Sequence, residues 1–148
     1  MITLRKLLLW ILFGLITVNV FSYVRMHTRG DVIAYKKFAK ALLKGDRYIL
    51  KNASTEEEAD RVLSVQEARL KDFVDTEVVF TYYRIKDRTI SADGKLSQLV
   101  GEQVSRVNPI GADTIWGDQA LIIRQVVTLV MKNNAWKVQE FADPAMTR

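Results

Sequence analysis

The chain of 148 residues holds one histidine, His27, and no cysteine. Zinc sites draw on several His and Cys ligands together, so His27 has no second ligand to share a metal with. Beside a long apolar segment it reads as an interfacial polar residue. No glycine-rich phosphate loop is present, and no metal or cofactor is expected. The residues whose placement could do acid–base work are Glu102, Arg124 and Glu140. Glu102 is in phase with Val100 and Val104, Arg124 with Ile122 and Val126, and Glu140 with Trp136 and Val138. On neighbouring strands the three would form a cross-strand Glu–Arg–Glu ladder, contributing about 0.2–1 kcal/mol per pair. The sharper reading is a charged pocket for a small polar ligand, with a carboxylate as base. Glu56, Glu57, Glu58 and Asp60 also cluster, but neighbouring carboxylates on a helix point in different directions, so they read as a helix start.

Trp116 lies in a loop between Gly111 and Gly117. It either folds back over an open end of the core or stands out as a partner anchor, a role in which tryptophan is enriched.

These residues must be placed by what precedes them. Leu7 to Val24 (LLLWILFGLITVNVFSYV) is uncharged, with Arg5 and Lys6 before it and Arg25 after it. As a helix at ~1.5 Å per residue, 18 residues span about 27 Å, enough to cross a bilayer core. A cleaved signal peptide would have a shorter apolar run and small residues at its processing site. Here Asn19, Phe21, Tyr23 and Arg25 follow, so the segment is expected to stay as an anchor behind a basic tail of residues 1–6. Lipid attachment through cysteine and disulfide bonding are both excluded.

The net charge of +5 is uneven. Residues 1–53 carry +8 and residues 54–148 carry −3. Basic residues beside a membrane helix contribute about 1 kcal/mol each against anionic headgroups. Arg25, Arg29, Lys36, Lys37, Lys40 and Lys44 are therefore the candidate membrane-surface residues, with membrane lipid as their partner. No nucleic-acid-binding motif accompanies the charge, and nucleic acid is not an expected partner. Basic residues flank the anchor on both sides, so the positive-inside count does not decide orientation. A short-tailed, uncleaved anchor favours a body outside the cytoplasm.

Residues 25–31 read as a juxtamembrane linker, with Gly30 and Asp31 able to break one helix and cap the next. From Val32 to about Leu50, Tyr35, Phe38, Ala39, Leu42, Leu43 and Ile49 recur at helical spacing, and Gly45-Asp46 is a possible kink. Ser54 or Thr55, followed three residues on by Glu57 or Glu58, matches a capping box. It opens a second helix to about Phe73, with Ala59, Leu63, Gln66, Leu70 and Phe73 as its buried stripe. The period then changes to two. Strands are expected over Glu77–Ile90, with Val78, Phe80 and Tyr82 on one face, and over Leu96–Val107, Ala120–Lys132 and Ala135–Ala142. Asp93-Gly94 and Asn133-Asn134 are the hairpin turns.

Two helices on a curved four-stranded antiparallel sheet give an α+β domain over residues 32–143, with a tail at 144–148. The order of elements, the stretch FAKALLKGD from Phe38 to Asp46 and the closing strand pair VTLVMKNNAWKVQEFAD resemble the NTF2-like (cystatin-like) superfamily. The resemblance implies helices laid across a cone-shaped sheet. Its membrane-anchored relatives imply an assembly component of bacterial secretion or conjugation machinery, with other membrane-complex proteins or a second copy as partners. Its enzymatic members imply an acid–base pocket in the cone. His27 lies outside the domain, so a non-enzymatic scaffold is the expected function.

Overall fold

The computed structural model describes residues 4–69, 76–109, 111–112 and 114–143. Its elements are α1 (Leu4–His27), α2 (Gly30–Lys44), α3 (Arg47–Ala53) and α4 (Glu56–Arg69), then β1 (Thr76–Ile90), β2 (Leu96–Pro109), β3 (Gln119–Lys132) and β4 (Ala135–Ala142). α1 is long and apolar enough to cross a membrane, and none of its side chains is buried against the rest of the chain. It overruns the uncharged stretch at both ends. The linker expected over 25–31 contracts to Thr28 and Arg29, since α1 carries on to His27 and α2 already begins at Gly30.

Two helices were expected after the first; three are present among the described residues. Gly45 takes a left-handed conformation (φ +70°), and its amide closes α2 onto the Ala41 and Leu42 carbonyls. The Asp46 side chain then accepts from the Ile49 amide at 3.0 Å, capping a new helix. A glycine end stop followed at once by an aspartate cap cuts the helix instead of bending it. The buried stripe of α2 is the expected one: Tyr35, Phe38, Ala39 and Leu42, with Val32. In α4 the buried residues include Ala59 and Val62. Leu70 and Phe73 lie outside the described residues.

The sheet is antiparallel throughout, in the order β1-β2-β3-β4. One face carries the helices. Its cross-strand rungs include Ile85–Gly101–Gln125 and Arg88–Leu99–Val127–Phe141. The outer face carries Tyr82–Val104–Ile122 and Arg84–Glu102–Arg124. Irregularities at Val79 and Lys86 each insert an extra residue in β1. The first removes Val78 from the face it was expected to share with Phe80 and Tyr82, because a bulge inverts the alternation beyond it. Val78 pairs with Val107 on the helix side.

The core lies between α2, α3, α4 and the helix-bearing face. Val32, Tyr35, Phe38, Leu50, Val62, Leu99, Val127, Leu129, Val138 and Phe141 are its buried members. Phe38 meets Phe141 at 5.1 Å between ring centroids. Both expected turns form: Gly94 has φ +69°, and Asn133 and Asn134 have φ +50° and +59°. Asparagine tolerates the left-handed region that such two-residue turns need.

Candidate functional site

The polar triad is on the outer face of the sheet and is not one cluster. Glu102 and Arg124 are cross-strand partners. Glu140 pairs with Thr128, four residues further along β3, which is about 13 Å at strand rise. Glu102 forms its ion pair with Lys86, at 3.2 Å. It sits between Arg84 and Arg124 across the strands, with its side chain 22% exposed. The expected Glu–Arg–Glu ladder is therefore not formed: an Arg84–Glu102–Arg124 ladder remains, and an irregularity at Gln139 puts Glu140 on the opposite face from Trp136 and Val138, with which it was expected in phase. Glu102→Gln is expected to cost less than about 1 kcal/mol in urea denaturation, as for partly exposed pairs generally.

Next to this ladder the outer face is apolar. Phe80 stacks with Tyr82 at 6.2 Å, and the Arg84 guanidinium lies 5.2 Å from the Tyr82 centroid. Val104, at the centre, is 2% exposed, whereas its neighbour Ile122 is 56% and Val126 47% exposed. At the far end of the same hairpin, the β2–β3 loop displays Ile115 (78% exposed) and Trp116 (70% exposed). Its backbone is braced. Asn108 donates to the Thr114 carbonyl at 2.8 Å and accepts from the Thr114 hydroxyl at 2.7 Å and the Asp118 amide at 3.0 Å. Arg106 Nε donates to the Trp116 carbonyl at 3.0 Å. Two large apolar side chains are thus held outward on a fixed loop, and Trp116 does not fold back over the core.

The helix-bearing face carries polar groups that the sequence did not single out. The Tyr35 hydroxyl donates to Gln125 Oε1 at 2.7 Å, and Gln125 Nε2 donates to Gln103 Oε1 at 3.1 Å and, more loosely, to Asp143 at 3.5 Å. All four residues are buried. Burial first, then the neighbouring Tyr83 and Asp143, push the Tyr35 hydroxyl above its ordinary pKa. The neutral tyrosine thus ties α2 to β3 through Gln125, which in turn bridges to Gln103 on β2. The hydroxyl end of the Tyr35 ring presses on Gly101, where a Cβ would come within 2.8 Å of Tyr35 Cζ.

Two buried acids fasten the helices to the sheet. Asp31 accepts from Arg88 Nε at 2.8 Å, Arg88 Nη2 at 3.2 Å and the Ser97 hydroxyl at 2.6 Å, tying the first turn of α2 to β1 and β2. Burial alone would raise the Asp31 pKa, but the bonds from Arg88 and Ser97 and the charge of Arg88 outweigh it and hold the carboxyl below its usual range. Glu58 was expected only to favour a helix start. Its Oε1 accepts from the Phe141 amide at 2.7 Å, and both its oxygens accept from Arg61 at 2.7 Å, so α4 grips β4.

Of the basic set, Arg25 and Arg29 flank the helix junction, and Lys36 bonds to His27 across it. Burial, then repulsion by Lys40, lowers the Lys36 pKa. Lys37 is exposed beside Lys36, and Lys40 and Lys44 follow one and two turns further along α2. Among the described residues no group of three His, Cys, Asp or Glu side chains is placed to hold a metal.

No family model and no curated protein matches the chain. Solved structures do. An NTF2-like protein of unknown function from Silicibacter pomeroyi DSS-3 overlays with a TM-score of 0.51 at 15% identity, over 81% of this chain and 96% of its own. A candidate ketosteroid isomerase from Shewanella frigidimarina NCIMB 400 overlays with a TM-score of 0.46 at 14% identity, over 78% of this chain and 95% of its own. The architecture defined above is the α+β NTF2-like fold, preceded by one helix of membrane-spanning length.

Proposed function

We propose that the chain is a single-pass, membrane-anchored assembly subunit of an envelope complex, without catalytic turnover. The observation that carries this reading is the set of exposed apolar side chains Phe80, Tyr82 and Ile122 around the buried Val104 on the outer face, together with the exposed Ile115 and Trp116 of the braced loop. Contiguous apolar surface of this kind on a soluble domain marks protein contacts, and aromatic anchors on rigid supports are the usual hot spots. Other subunits, second copies of this chain included, would dock there. A short-tailed, uncleaved anchor favours the extracytoplasmic side for the body, and the resemblance noted above makes secretion or conjugation machinery the finer reading.

The test is mass determination of the full-length protein, extracted from its native membrane in gentle detergent, with identification of co-purifying chains. Stoichiometric partners or a defined oligomer are expected. Ile122→Glu should abolish them while leaving circular dichroism unchanged, since a desolvated charge at an interface core costs several kcal/mol. A wild-type monomer carrying only a small molecule would overturn the proposal in favour of a ligand-binding or enzymatic cone.

A further inference from the structure

Three segments distant in sequence meet at the end of the body from which α1 departs. Gly30 opens α2 against the Trp136 ring, 3.1 Å from where its Cβ would stand. Trp136 pairs with Met131, and the Met131 amide donates to the Lys95 carbonyl at 2.8 Å. The β1–β2 and β3–β4 turns therefore lie side by side next to the helix junction. Each brings one exposed lysine, Lys95 and Lys132.

Between the two helices stands Arg29, whose Nε is buried and has no hydrogen-bond partner among the described residues. A buried donor left unsatisfied is unfavourable, and the guanidinium fork matches the oxygens of a phosphate. The acids of this end are already engaged. Asp31 is held by Arg88 and Ser97, and Asp93 accepts from Ser91 and from the Lys95 amide. Asp93 keeps its negative charge beside Lys95, but with Asp31 paired to Arg88 the end stays net positive through Arg25, Arg29 and Lys132, at the point where an apolar helix of bilayer length begins.

We propose that this end is a seat for anionic phospholipid, in which Arg29 takes a headgroup phosphate and the two turns rest on the same bilayer through Lys95 and Lys132. The inference rests on α1 crossing a membrane and goes beyond it. It sets the strands upright on the surface, with the Ile115–Trp116 loop raised about 45 Å above the lipid, the length of the 14-residue β2 at ~3.3 Å per residue.

The test is amide hydrogen exchange on the full-length chain in nanodiscs of phosphatidylcholine alone or mixed with phosphatidylglycerol. Exchange at 91–95 and 132–136 should slow in the anionic discs and recover at high salt. Lys95→Glu with Lys132→Glu should remove the effect, by about fivefold or more per lysine. Arg29→Gln should weaken it where Arg29→Lys does so less. Identical exchange in both lipids, with the chain retained in both, overturns the seat alone. A chain that stays with neither disc overturns the membrane reading and the seat with it.

Discussion

Asp31→Ala is expected to lower the stability of the body by about 3–5 kcal/mol, the usual cost of removing one member of a buried ion pair. Arg88 would be left 13% exposed with no carboxylate, and the Ser97 hydroxyl would lose its acceptor. Urea denaturation in detergent, followed by tryptophan fluorescence, reads the loss directly. A cost below about 1 kcal/mol would show that water replaces the carboxylate. The same group gives a pH signature. Its folded pKa is depressed, so its contribution is complete above the ordinary carboxylate range and is lost as pH falls through the folded value. Wild-type stability should therefore fall with acidification in a window where Asp31→Asn stays flatter. The damage should also be mechanical, because this clamp fixes the first turn of α2, next to α1, to the sheet.

Gly101→Ala is the second large effect. The added methyl would press on the Tyr35 ring and hydroxyl. Tyr35 is fully buried and bonded to Gln125, so it has nowhere to retreat. Overpacking costs about 1–3 kcal/mol, and breaking the Tyr35–Gln125 bond adds about 1–3 kcal/mol for the stranded amide. A shift of the denaturation midpoint corresponding to at least about 2 kcal/mol is expected. Tyr35→Phe on its own should cost less. In the Gly101→Ala background it should cost less again, since the hydroxyl then leaves a crowded site. Additive costs in that cycle would mean that the two residues do not touch.

Local signals carried the architecture. The turn chemistry of Asp93-Gly94 and Asn133-Asn134, the apolar stripe of α2 and the uncharged run at the start each depend on residues close in sequence, and all could be read there. Strand alternation was legible only up to the first irregularity: nothing in EVVFTYYRIKDRTI marks Val79 as an extra residue, so Val78 was given to the wrong face. Gly45-Asp46 was seen as a kink because either residue alone would bend the helix, whereas together they stop and restart it.

The site fared worse for a physical reason. Asp31 and Glu58 read locally as helix-start residues and Gln125 carries no local signal, yet each is buried and bonded to a partner 57 to 90 residues away. Pairing Glu102 with Arg124 was within reach of parity, but Lys86 became the ion partner only through the second bulge. Lys95 and Lys132 were separate turn residues until the fold set them side by side.

The two bulges of β1 bear on how such a chain survives crowding. β1 is an edge strand to which no described strand pairs on its outer side. On the proposed membrane-anchored reading the chain meets its own copies at high surface density, and an open edge of 15 residues would invite them to zip together. Interrupted at Val79 and Lys86, that edge offers one regular run of only six residues, Phe80 to Ile85. Neighbours can touch there but cannot polymerise into a continuous ribbon, so contact between copies is steered away from the sheet's rim and toward its face.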